Sequence, residues 1–169
     1  MLQTVSGSHF NPSVTLAFWR TGEIGARRTI WYGLAQVAGG VSGVVVAHLS
    51  FDASALTVSD AARSGSGLVL AEGVAIFVLL LVILALTRTG RSSQVPAAVG
   101  AWVAAIVFAT SSTGFANPAV TIARVFTDTY IGIAPGSVVG FLIAQVAAGV
   151  FAARVARMFS PDPVSSPTK

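Results

Sequence analysis

The sequence predicts an all-α membrane protein: an inverted-repeat helical bundle of four spanning helices and two re-entrant half-helices. Three observations predict it. Only 9% of the residues are charged and 54% are hydrophobic, against roughly 25% charged in soluble domains. Four apolar stretches approach the roughly 20 residues that cross a bilayer. The segment Asn11-Pro12-Ser13-Val14-Thr15-Leu16-Ala17 returns as Asn117-Pro118-Ala119-Val120-Thr121-Ile122-Ala123, identical at five of its seven positions.

Composition removes several function classes before any motif is read. There is no cysteine, and His9 and His48 stand far apart, so neither a metal site nor a cofactor is expected. The net charge of +4 comes from ten basic residues scattered between apolar segments. They form no dense run, so nucleic acid is not an expected partner. The start, Met1-Leu2-Gln3-Thr4-Val5, lacks the basic flank and apolar run of a signal peptide and leads into a polar loop.

The expected spans are 29–51, 67–87, 95–112 and 137–159, within a single transmembrane domain over 1–159; the tail 160–169 reads as disordered. Polar connectors at 52–66, 88–94 and 128–136 separate the spans. With 88–94 inside the cell, alternation leaves only Arg63 and Arg124 of the ten basic residues outside. That satisfies the positive-inside rule and predicts a multi-pass membrane protein. Small residues at four-residue spacing, Gly39 with Gly43 and Ala144 with Ala148, allow close helix contacts where lipid supplies no hydrophobic drive.

The repeat extends beyond the Asn-Pro windows, because Ala35-Gln36-Val37-Ala38 and Ala144-Gln145-Val146-Ala147 follow them at similar distances. Alternation gives the two units opposite orientations, and inverted repeats of this kind place their site at the midplane. Asn is a preferred N-cap and Pro fits the first helical turn, where its missing N–H is not needed. Each Asn oxygen then caps its own helix and leaves its NH2 group pointing ahead, so that two donors face one another.

Two opposed helix N-termini, each carrying roughly half a positive charge, offer donors to a neutral solute and a barrier to a cation. The turns before the half-helices, 7–10 and 113–116, are non-helical at membrane depth, which requires a watery lumen or protein cover. Glu72 is the one acid inside a span, and the expected partners for it are N–H groups of a re-entrant loop. His9, in the first turn, is a candidate protonation gate, with a packed loop histidine as the commoner case.

The runs Ser6-Gly7-Ser8-His9-Phe10-Asn11-Pro12-Ser13 and Gly114-Phe115-Ala116-Asn117-Pro118-Ala119, with Ala71-Glu72 opening a span, resemble the major intrinsic protein family of aquaporins and aquaglyceroporins. The resemblance implies a passive, cofactor-free, aquaporin-like channel, assembled as a homotetramer with a pore in each subunit. It places Asn11, Pro12, Ser13, Asn117, Pro118 and Ala119 at the pore midplane. It also implies six spans, of which the family's first two would precede Asn11. A chain with four is therefore either part of a longer channel or a truncated, non-conducting structural subunit.

The arginine that the family usually carries after its second Asn-Pro-Ala is here Val120, which implies a wider, more apolar outer constriction. The loop before it is one residue short, so either Gly114 or Phe115 lines the constriction beside Val120, with Phe115 preferred. Arg124, one helical turn on, either approaches the same region from outside or is an interfacial arginine near Asp128. The run from Phe115 to Arg124 resembles a bacterial branch associated with arsenic resistance, which implies uncharged solutes larger than water: glycerol-like polyols or arsenite as its neutral acid. An enzyme reading needs a converging nucleophile, base or metal cluster, and the spans offer one acid and one peripheral histidine.

Overall fold

The computed structural model describes residues 2–159, so the expected disordered tail lies outside the described residues. Four long helices carry the architecture: α3 (Ala26–Ser50), α4 (Ser66–Arg88), α5 (Val95–Ala109) and α7 (Pro135–Phe159). Each is long and apolar enough to cross a membrane, α5 together with the preceding turn as Ser92–Ala109. Two short helices, α2 (Pro12–Arg20) and α6 (Pro118–Ala123), begin at the two Asn-Pro pairs. A further short helix, α1 (Gln3–Ser6), stands where a polar lead-in is expected.

The span boundaries follow local chemistry. α5 ends at Ala109, three residues before the expected limit, because Thr110 turns extended and its hydroxyl donates back to the Ile106 carbonyl at 2.7 Å. Its start is prepared by a 3-10 turn, Ser92–Gln94, and by Pro96 in the first helical turn. α6 is six residues long and passes into a second 3-10 turn, Arg124–Phe126.

The packed core lies between α4 and α7. Ala75, Ile76, Leu79, Leu80 and Leu84 of α4 meet the small residues Ala152, Ala153 and Ala156 of α7, the small-residue contact that lets two spanning helices approach. Trp102 of α5 donates its indole N–H to the Ala75 carbonyl at 2.9 Å and packs on this core. α3 is different: His48 is its one buried residue.

The half-helices interlock the two repeats. α2 packs on α7, and α6 packs on α3, so each half-helix lies against the span of the other unit. Equivalent glycines mark both crossings. A Cβ at Gly149 would stand 3.5 Å from the Ser13 Cβ, and one at Gly40 would stand 3.2 Å from the Ala123 Cβ. The close approach therefore occurs at Gly40, whereas Gly39 and Gly43, the pair expected to serve it, have open space beside them.

The connector between α3 and α4 lies along 124–134. The Thr57 and Ser59 N–H groups donate to the Phe126 and Val125 carbonyls at 3.1 and 2.8 Å, and Ala134 N–H donates to Ala61 O at 2.8 Å. His48 pins this layer, with Nδ1 2.7 Å from the Ser54 carbonyl and Nε2 2.8 Å from the Thr127 hydroxyl. Its partners both lie outside the long helices, in the connector and in the segment that follows α6.

Candidate functional site

The site is built from two turns of matching backbone. Thr113, Gly114 and Ala116 take φ of 62, 56 and 46°, and their counterparts Gly7, Ser8 and Phe10 take 75, 53 and 47°. Four of these six are not glycine, and each left-handed residue of that kind costs on the order of 1–3 kcal/mol. The same costly conformation recurs at equivalent positions because each turn delivers an asparagine to the start of a half-helix. Gly114 has a further reason to be glycine: a Cβ there would lie 2.5 Å from Ile106 Cγ1.

Asn11 Oδ1 accepts from the Ser13 N–H at 2.9 Å, and Asn117 Oδ1 accepts from the Ala119 N–H at 3.0 Å. The side-chain NH2 groups then cross between the units. Asn11 Nδ2 donates to the Ala116 carbonyl at 2.7 Å, and Asn117 Nδ2 donates to the Phe10 carbonyl at 2.9 Å. This differs from the expectation of two NH2 groups directed into open space. One N–H of each asparagine locks the opposite turn, and since the amide carries two, one donor per asparagine remains.

Polar contacts behind the asparagines repeat as well. Thr15 and Thr121 donate their hydroxyls to the Asn11 and Asn117 carbonyls at 3.1 and 3.0 Å. Gln36 Nε2 stands 3.0 Å from the Thr15 hydroxyl, and Gln145 Nε2 stands 2.9 Å from the Thr121 hydroxyl. Ser13, where the other unit has Ala119, is fully buried and donates to the Gln145 carbonyl at 3.3 Å.

Glu72 is fully buried in α4. Its oxygens accept the Phe115 and Ala116 N–H groups, each at 2.8 Å, and Oε2 also accepts Gln145 Nε2 at 2.6 Å. A carboxylate is acceptor-only and suits this convergence of donors.

A cavity of about 470 Å³ opens beside Asn117, bounded by His9, Phe10, Gln36, Gly40, Asn117 and Val120 among others, while Asn11 is buried and does not line it. Val120 thus faces it. Phe115 and Gly114 do not: the Phe115 ring is 4% exposed and packs edge-on against Phe141, 5.2 Å between centroids, with Ile133 alongside. The left-handed Ala116 and the Glu72 bonds fix the backbone of this turn, and the ring is directed into the protein, away from the constriction expected for it.

His9 stacks on Phe18 at 4.7 Å between ring centroids, and its Nδ1 is 3.2 Å from the Thr15 hydroxyl. That is the environment of a packed loop histidine. Sequence reasoning missed Arg63. Its guanidinium lies 5.1 Å from the Phe115 ring centroid, and that of Arg124 lies 4.1 Å from it. Arg124 is therefore not confined to the interface near Asp128, and nothing local in the sequence links residue 63 to either partner.

The profile of the Major intrinsic protein family matches residues 1–116. The chain belongs to this family. Its members are membrane channels for water and small solutes rather than enzymes, and the four apolar helices make this chain a multi-pass membrane protein. It is 45% identical over 157 residues to aquaglyceroporin AqpS of Rhizobium meliloti (strain 1021), a match covering 93% of this chain and 67% of the relative. It is 32% identical over 114 residues to aquaporin Z of Photorhabdus laumondii, covering 57% of this chain and 48% of the relative. The chain thus spans about two thirds of the first relative and less than half of the second. No solved structure matches it.

Proposed function

We propose that residues 1–159 act as one transmembrane domain that passes water and small uncharged solutes passively and rejects ions. The observation that carries this reading is the reciprocal bonding of Asn11 and Asn117, which holds two half-helix starts head to head beside a cavity. The remaining N–H of the Asn117 amide, which lines the cavity, can donate to a hydroxyl oxygen of a passing solute, and the paired helix starts repel a cation. Asn11, Pro12, Ser13, Asn117, Pro118 and Ala119 form the midplane, and Val120 forms an apolar element of the outer constriction.

An apolar Val120 in place of a charged side chain leaves room for solutes larger than water. The aquaglyceroporin relative supports glycerol-like polyols as substrates, and arsenite as its neutral acid is of similar size and hydrogen-bonding character. Assembly as a homotetramer in the cell membrane completes the proposal.

A second reading is favoured by α3. Ile30, Trp31, Leu34 and Val46 are exposed on it. A chain with this face uncovered fits a structural subunit that conducts only when another membrane segment covers it. Stopped-flow light scattering on proteoliposomes separates the two. Water, glycerol and neutral arsenite permeabilities above those of protein-free vesicles support the channel, and permeabilities equal to theirs support the dependent subunit.

A further inference from the structure

Positive charge collects at the end of the bundle opposite the 52–65 connector. Seven of the chain's ten basic residues fall within 20–28, 88–91 and 154–157, around the ends of α2, α4 and α7 and the start of α3, and Glu23 is the one acid in these segments. The Glu23 carboxylate serves its own turn, accepting the Thr21 hydroxyl at 2.9 Å. Hydrogen bonds draw the helix ends together. Arg157 Nη2 donates to the Arg20 carbonyl at the end of α2, and Arg88 Nη1 donates to the Ala156 carbonyl in the last turn of α7 at 3.1 Å.

The depth of this cluster follows from helix length. α4 and α7 have 23 and 25 residues, which at 1.5 Å per residue makes each about 35 Å long, slightly more than the hydrocarbon thickness of roughly 30 Å. Their terminal arginines therefore emerge at the level of the lipid headgroups. Trp19, next to Arg20, and Trp31, three residues after Arg28, are both exposed, in the position that interfacial aromatic anchors take.

Arg20, Arg154 and Arg157 are exposed. The bond from Arg157 to the Arg20 carbonyl brings the last turn of α7 to the end of α2, and Arg154 stands one turn back along α7. Among the described residues, the Arg20 and Arg154 guanidiniums have no hydrogen-bond or ion-pair partner. Like charges gathered this closely call for an anion, and a guanidinium fork matches the oxygens of a phosphate. Exposed Trp19 and Met158 flank the arginines and suit the glycerol and acyl part of a lipid rather than a free ion. We propose that Arg20, Arg154 and Arg157 form a headgroup site for an anionic phospholipid, whose phosphate bridges the ends of α2 and α7. Such a bridge ties the half-helix that starts at Asn11 to the span it packs on, so that lipid charge governs how firmly this half-helix is held. The proposal requires that the chain spans a membrane, not that it conducts.

Unfolding midpoints of the full chain in an uncharged detergent test the site, with phosphatidylglycerol, phosphatidylcholine or inorganic phosphate added at the same concentration. Phosphatidylglycerol is expected to raise the midpoint by at least about 5 °C, less so in high salt, while the other two leave it unchanged. Arg20→Gln/Arg154→Gln removes two charges without touching an internal hydrogen bond and should lose at least about half of that rise. Arg28→Gln/Arg91→Gln, which removes the same charge from the other two segments, should keep most of it. Should the first pair fail to fold, Arg154→Gln alone must reduce the rise. No rise in the wild type overturns the proposal, and so does an undiminished rise in Arg20→Gln/Arg154→Gln. An equal rise with phosphatidylcholine assigns the effect to acyl chains, and one with inorganic phosphate assigns it to a free anion; either overturns the lipid site. Equal losses in the two glutamine pairs overturn it too, because net charge rather than the joined ends of α2 and α7 is then what the lipid reads.

Discussion

The two halves of the molecule share a local design and differ in how it is enclosed. The turn before Asn117 is sealed: Phe115 and Ala116 are 4% and 3% exposed, and Glu72 takes both of their N–H groups. In the turn before Asn11, Phe10 is 61% exposed, and the contacts at His9 come from Thr15, Phe18 and Tyr32. The left-handed residues, the asparagine caps and the threonine and glutamine bonds are nevertheless the same in both. Local sequence therefore dictates the shape of the turn, and the covering helix decides how firmly it is held.

Removing the carboxylate is the sharpest way to break that contrast. Glu72→Gln places an NH2 group where donors converge, and a loss of about 3 kcal/mol is expected from the unsatisfied buried groups. Thermal unfolding in detergent measures it, and amide exchange at Phe115 and Ala116 should rise toward that at His9 and Phe10. Unchanged exchange would mean that α4 packing, not the carboxylate, makes the second turn tight.

The helix crossings give a smaller effect of opposite asymmetry. A methyl group at Gly40 would press on the Ala119 carbonyl oxygen at 3.3 Å and on the Ala123 Cβ at 3.2 Å, whereas at Gly149 the nearest atoms stand at 3.4 and 3.5 Å. Gly40→Ala should cost roughly 1–2 kcal/mol by overpacking and Gly149→Ala should be nearly neutral, as read by unfolding midpoints. Equal costs would indicate that the α3–α6 crossing relaxes as easily as the α2–α7 crossing. Least affected should be Ser13→Ala, which makes the two motifs alike. It removes one long hydrogen bond, leaves the Gln145 carbonyl in its helix, and should cost below about 1 kcal/mol.

The spans, the two half-helix starts and the role of each asparagine as a cap were legible in the sequence because they depend on near neighbours. Asn-Pro sets its own helix start, and apolar length sets a span. Glu72 was legible as well, since an acid inside an apolar stretch calls for donors. The crossing of the asparagine amides was not, because each acceptor lies more than a hundred residues away in the chain. Nor was the direction of the Phe115 ring, which depends on the left-handed Ala116 and on Glu72 from another helix. Arg63 reads as an ordinary loop cation until the connector folds back over 124–134. The small-residue spacing pointed to Gly39 and Gly43, but Gly40 is the residue that meets Ala119 and Ala123 of α6.

The central claim is that each half-helix lies against the span of the opposite repeat. The sequence has no cysteine, so an introduced pair reports without background. With the Ser13 Cβ 3.5 Å from a Cβ built at Gly149, the pair Ser13→Cys/Gly149→Cys has the separation of about 3.5–4.5 Å that a disulfide needs. Mild oxidation in native membranes should cross-link it nearly completely, while Ser13→Cys/Gly140→Cys, more than two turns away along α7, should remain reduced. Failure of the first pair to form, or equal cross-linking of both, would contradict the interlocked arrangement.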